Sequence, residues 1–209
     1  MKLDIRLTLK AFGLLWLLAL LCGPELAAWF GLHLDPSGHS HLHAHGHPFI
    51  DARMWFGIPN TLDVLSNLPF LIFGLWGLRK LGRRAQMGAN RLAATAFFWG
   101  LIFTAIGSSV YHWHPDSWGL AIDRTGMAVA FAGLLGLAWY ERTALTSTQT
   151  LTGVCLILAV ISAWLPHFVA NIWPWVLLQF GGILIVLICA LLPKQDRGMG
   201  IAFMPVLVL

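Results

Sequence analysis

Six stretches of this sequence are long, apolar and nearly free of charge: 8–32, 59–78, 92–113, 120–140, 150–165 and 173–192. Each is near the length of about 20 residues that a helix needs to cross the hydrocarbon of a bilayer. In hydrocarbon every backbone donor and acceptor must be paired within the element. Segments this long and this uniformly apolar achieve that as helices rather than as barrel strands. The sequence therefore predicts an all-α, polytopic membrane helix bundle of about six transmembrane helices. Composition excludes the alternatives. Of 209 residues, 58% are hydrophobic and 11% are charged, whereas a soluble domain carries roughly 25% charged residues. A chain with 11 Trp and 13 Phe is also unlike a disordered one, which is polar and poor in aromatics.

The charges fall between the apolar stretches. Lys2, Arg6, Lys10, Arg79, Lys80, Arg83, Arg84, Arg91, Arg142, Lys194 and Arg197 all lie on one side if every stretch crosses once. By the positive-inside rule that side is the cytoplasm, so the N-terminus is expected inside, in a plasma membrane or a bacterial inner membrane. The net charge of +4 is thereby explained by topology, and no nucleic-acid partner is expected. The first stretch has the basic start and apolar core of a signal peptide. Its apolar run continues through Ala27, Ala28, Trp29 and Phe30 with no clean cleavage site, so it is read as a retained anchor. The organisation expected is an anchor helix at 1–32, an outside loop at 33–58, a transmembrane core at 59–193 and a tail at 194–209. Cys22, Cys155 and Cys189 sit singly in apolar runs and are read as packing residues. Oligomeric state is not legible.

The loop at 33–58 holds a biased tract in which His39, His41, His43, His45 and His47 alternate with small residues. Such a tract can bind metal, and imidazole suits zinc, copper and nickel alike. It supports a second reading of the whole chain, as a non-catalytic membrane protein that handles metal ions through this loop or binds lipid.

Ionisable and polar residues within membrane segments mark functional sites by default. Asn60, Asp63 and Asn67 are spaced to share one helix face, with Ser66 beside them and Pro59 suited to the first helical turn. Ser108 and His112 are one turn apart at the end of the third stretch, where an imidazole can ligate a metal and a hydroxyl can steady a bound water or an oxyanion. Asp123, early in the fourth stretch, lies at a similar depth. Its neighbour Arg124 points to a different helix face, which makes Asp123 a residue of the bundle interior. His167 and Asn171 are read as loop residues. Asp, His and Ser converging at one end of a dry bundle suit hydrolysis of a lipid amide, with a metal-activated water and Asp as general base.

Asn60-Thr-Leu-Asp-Val-Leu-Ser-Asn67, Ser108-x-x-x-His112 and Asp123 follow in an order and spacing that resembles the alkaline ceramidase family. That family belongs to a wider group of seven-helix membrane hydrolases that includes the adiponectin receptors. The likeness covers roughly residues 51–193. It implies a zinc-dependent amide hydrolase that splits ceramide into a sphingoid base and a fatty acid. His112 would be a zinc ligand, Ser108 would steady the oxyanion and Asp123 would handle the proton of the attacking water. Asp51 and Asn60 stand where family members carry a calcium site, although most of the family's acidic residues there are absent. The family's second motif, His-x-x-x-His on the last helix, is not found after residue 192. Against the family core the chain is expected to be two helices short, hence truncated and of reduced activity. The pairs His39/His43, His41/His45 and His43/His47 have the right spacing but precede the core.

Overall fold

The computed structural model describes residues 5–32, 51, 53–82, 90–142 and 148–193. It is all-α: α1 (Ile5–Trp29), α2 (Thr61–Leu65), α3 (Leu68–Gly82), α4 (Arg91–Trp113), α5 (Ser117–Arg142), α6 (Thr148–Val169), α7 (Trp173–Val176) and α8 (Gly182–Leu191), with a π-helical turn at Leu177–Gly181 between the last two. Among the described residues, six helical segments are long and apolar enough to cross a membrane: Lys10–Trp29, Thr61–Gly82, Arg91–Trp113, Ser117–Arg142, Thr148–Val169 and Trp173–Leu191. Many large apolar side chains lie exposed along their outer surfaces, among them Leu21, Ile72, Ile157 and Leu184. In water such a surface would aggregate; in lipid it is the natural exterior. The chain is an integral membrane helix bundle.

The second and fifth spans, like the sixth with its π-helical turn, depart from a simple helix. The second breaks between Leu65 and Leu68. Pro69 has no N–H to give to the Leu65 carbonyl, and the side chains of Ser66 and Asn67 both donate to the Asp63 carbonyl, at 2.8 and 3.0 Å. Local side-chain bonds of this kind compete with the helix ladder. The fifth span runs to Val169, through Pro166, where the sequence suggested an end at 165. Neighbouring elements in a membrane can satisfy the carbonyl that proline frees.

The tightest pair is α4 with α5. Ala93, Gly100 and Gly107 on α4, and Gly119, Gly126 and Gly133 on α5, recur every seven residues. This is the spacing of a close, left-handed helix seam. A methyl group added at Gly100 would collide with the Ala130 nitrogen, and one added at Gly126 would collide with the Thr104 nitrogen. The two backbones are in contact. Around this pair lie two apolar clusters, one centred on Leu135, Ala138 and Val186, the other on Ala128, Ala159 and Trp175. Cys189 belongs to the first and Cys155 packs against both, as expected of packing residues, while Cys22 is exposed on α1.

The first helix is more than an appended anchor. The Trp16 indole, 4% exposed, donates to the Ser162 hydroxyl of α6 at 2.8 Å. Asn171, expected in a free loop, is buried and donates to the Ala19 and Leu20 carbonyls at 3.0 and 3.1 Å. Its carbonyl oxygen accepts from the Trp173 amide at 3.0 Å, so one side chain both starts α7 and grips α1. Ser162→Ala leaves the buried indole N–H without its acceptor. We expect a loss of about 1 kcal/mol, read as a lower melting temperature in detergent; an unchanged melt would show that α1 is not held there.

Candidate active site

The site is built where α4 ends and α5 begins, with the segment from Asp51 to α2 laid across it. That segment is locally self-supporting. Trp55 and Ile58 exchange backbone hydrogen bonds at 3.1 and 2.9 Å around Phe56 (φ 50°) and Gly57 (φ 77°), the two left-handed positions of a tight reverse turn. The buried Thr61 hydroxyl donates to the Ile58 carbonyl at 2.6 Å and accepts from the Trp55 amide at 2.9 Å. Asp51 is buried too. One carboxylate oxygen accepts from the Leu62 amide at 2.8 Å and the other from the Arg53 Nε at 2.5 Å. The Asp51 amide in turn donates to Asp63 Oδ2 at 3.3 Å.

The Leu62 amide, with the Arg53 guanidinium next, holds the Asp51 carboxyl below the usual carboxylate range. A depressed carboxyl stabilises the fold fully above its unfolded value of about 3.9 and stops doing so as pH falls through the lower folded value. The segment from Asp51 to α2 is therefore expected to loosen below about pH 4. Hydrogen exchange at the Leu62 amide would rise there in the wild type. Asp51→Asn would show fast exchange at every pH, and equal exchange in both proteins would contradict the assignment.

Two bonds dock this segment on α4. Asn60 Nδ2 donates to the His112 carbonyl at 2.7 Å, and the Ser109 hydroxyl reaches the Val64 carbonyl at 3.4 Å. Asn60 stands before α2 in the left-handed region (φ 48°), which asparagine tolerates. The helix begins at Thr61, so Pro59 does not open it. Asn60, Asp63 and Asn67 therefore do not form the single helix face that their spacing suggested. Asn60 lies outside the helix, and the break at residues 66–67 turns Asn67 back onto α2. Ser66 is exposed and bonds only within its own turn. Asp63 stays with the site, close enough to His112 for an electrostatic interaction.

Ser108 and Asp123 are brought together by the glycine seam. A methyl at Gly107 would sit 3.0 Å from the Ile122 carbonyl oxygen and 3.1 Å from the Asp123 Cα. The backbones approach at this level, and the next side chain on α4, the buried Ser108, faces the Asp123 carboxylate. Asp123 Oδ1 is buried, and among the described residues it has no hydrogen-bond partner. His112 follows Ser108 by one turn and is half-buried. The α5 start is fixed by Asp116, whose Oδ1 accepts from the Gly119 amide at 2.5 Å. Arg124 makes no ion pair with Asp123 within 4.0 Å, and it lines a cavity against α6 instead.

Ser108, His112, Asp123, Asp63, Asn60 and Asp51 thus share one end of the bundle, contributed by three parts of the chain. A buried carboxylate oxygen beside a hydroxyl can take and return a proton. The metals implied by the ceramidase likeness find less support. Among the described residues no three His, Cys, Asp or Glu side chains gather to hold an ion, whereas catalytic zinc normally has three protein ligands. For calcium, both carboxylate oxygens of Asp51 are engaged by Arg53 and Leu62, and Asn60, which donates its Nδ2 to His112, adds at most one amide oxygen. The described residues do not by themselves fit either ion. His39, His41, His43, His45 and His47 lie outside the described residues. No family model, no curated protein and no solved structure matches this chain. The ceramidase likeness rests on the motif residues alone.

Sequence reasoning missed three contributors. Arg53 is the partner of Asp51, Asn171 is a buried clamp and Gly107 sets the approach of Ser108 to Asp123. The seven-residue glycine spacing was the available signal for the last of these. The clamp spans 152 residues, and no local pattern announces it.

Proposed function

We propose that this chain is an integral-membrane hydrolase of lipid amides, of the kind that its likeness to alkaline ceramidases implies. The observation that supports this best is the buried, unpartnered Oδ1 of Asp123 beside Ser108, one turn from His112. A membrane bundle gains no stability from a carboxylate held in this way. It gains a proton acceptor shielded from bulk water, at a depth that a ceramide amide can reach from the bilayer.

The reaction balances on these residues. Water adds its oxygen to the amide carbonyl carbon while Asp123 takes the water's proton. The carbonyl oxygen becomes an oxyanion, to which the Ser108 hydroxyl can donate. As the C–N bond breaks, the proton passes from Asp123 to the amine nitrogen. Fatty acid and sphingoid base are the products. His112 and Asp63 flank this path. A zinc ion would need ligands beyond the described residues, so no step is routed through one.

The reading is separated from the metal-handling alternative by two variants of the full chain. Deleting residues 39–47 should leave ceramide turnover in place, and Asp123→Asn should remove it. The reverse pattern, with several bound metal ions lost on the deletion and no turnover in the wild type, would favour a metal-handling protein.

A further inference from the structure

Arg124 is 9% exposed, on the face of α5 turned away from Ser108. A guanidinium stays charged in any protein and carries five donors. Among the described residues, Arg124 takes part in none of the side-chain hydrogen bonds or ion pairs, and Asp123, the adjacent charge, is beyond ion-pair reach. Asp123 acts on this charge only from beyond that reach, and burying a cation with no ion-pair partner is strongly unfavourable. The guanidinium borders a cavity of about 250 Å³ between α5 and α6, with Ser117 and His167 as its other polar walls and Leu120, Ala163 and Pro166 among its apolar ones. No carboxylate lines it. Every polar group there can donate a hydrogen bond, and the one fixed charge is positive.

The rim shows what reaches this cavity. Trp118 lies 4.6 Å from the His167 ring and 5.4 Å from Trp164, and Trp164 stacks on Phe168 at 5.7 Å. Trp118 and Phe168 are 53% and 66% exposed. Aromatic residues clustered at the end of membrane helices sit at headgroup level. The cavity therefore opens where lipid phosphates lie, beside apolar surface that acyl chains can follow.

We propose that this cavity is a binding site for the phosphate of an anionic membrane lipid, held by the Arg124 fork with Ser117 and His167 as further donors. A phosphate matches the planar guanidinium through paired hydrogen bonds and supplies the missing negative charge. The site is separate from the Ser108–Asp123 pair and does not depend on amide hydrolysis.

The full chain, purified in a delipidating detergent, is titrated with dioleoylphosphatidylglycerol and with diolein, which has the same chains and no phosphate. Retained lipid is read by native mass spectrometry. The phospholipid should bind, diolein should not, and Arg124→Gln should weaken the phospholipid by at least about tenfold. If the Gln variant does not fold, Arg124→Lys, which keeps the charge and loses the fork, and His167→Ala, at the half-buried rim, should each weaken it. Equal binding of both lipids, or unchanged binding in folded Arg124 and His167 variants, would overturn the site. Inorganic phosphate binding as tightly as the lipid would overturn the lipid as its ligand.

Discussion

Leucine in place of Gly126 is expected to abolish the folded bundle. A methyl group there already collides with the Thr104 nitrogen and lies 2.5 Å from the Phe103 carbonyl carbon. Those are backbone atoms of α4, which cannot rotate aside as a side-chain tip can. Overpacking a core commonly costs about 1–3 kcal/mol where side chains can give way. Here the helices must part, and total stabilities of about 5–15 kcal/mol leave little reserve. Gly100→Val should fail for the same reason, since its added carbons would enter the Ala130 backbone. A methyl group added at Gly153, by contrast, would have nothing within 4 Å. Gly153→Ala should therefore fold and gain up to about 1 kcal/mol from helix propensity. Monodispersity on size exclusion and helical circular dichroism in detergent distinguish these outcomes. A Gly126→Leu protein that elutes and melts like the wild type would contradict the close seam.

Replacing Asp123 by Asn is expected to remove catalysis and leave the fold intact. The two side chains share shape, and Asn can still meet Ser108. What is lost is the proton acceptor, and a positioned general base contributes typically 10²–10⁴-fold. Ceramide turnover should fall by about that factor, and Ser108→Ala should cost about 10²-fold as a lost oxyanion donor. Stability should move the other way. A buried carboxylate oxygen without a partner is unfavourable by about 1–3 kcal/mol, and an Asn in its place carries no charge to desolvate. The melting temperature of Asp123→Asn should equal or exceed that of the wild type. A purely structural Asp123 would instead give a lower melt with any remaining activity scaled to the folded fraction.

The six spans were legible because hydrocarbon imposes both length and composition on whatever crosses it. The end-to-end grouping of Ser108, His112 and Asp123 was legible too, since His112 and Ser117 are joined by a turn too short to separate them. The break at residues 66–67 was not anticipated, although Pro69, which cannot make one helix bond, was the available signal. Other features had no local signature. The hydrogen bond from Trp16 to Ser162 joins residues 146 apart. Asn171 reads as an ordinary loop polar residue until α1 is laid beside it. Arg124 reads as the neighbour of Asp123, and only the packing of α5 on α6 reveals that its charge faces a cavity of its own.

The central claim, that the Ser108 and Asp123 end of this bundle hydrolyses a lipid amide, is tested most directly by product analysis. The full chain is reconstituted in nanodiscs with a single ceramide, and fatty acid and sphingoid base are quantified by mass spectrometry, beside Asp123→Asn in parallel discs. The two products are expected in equal amounts from the wild type and at near-background levels from the variant. No product from a folded wild-type chain, or equal product from both proteins, would contradict the claim.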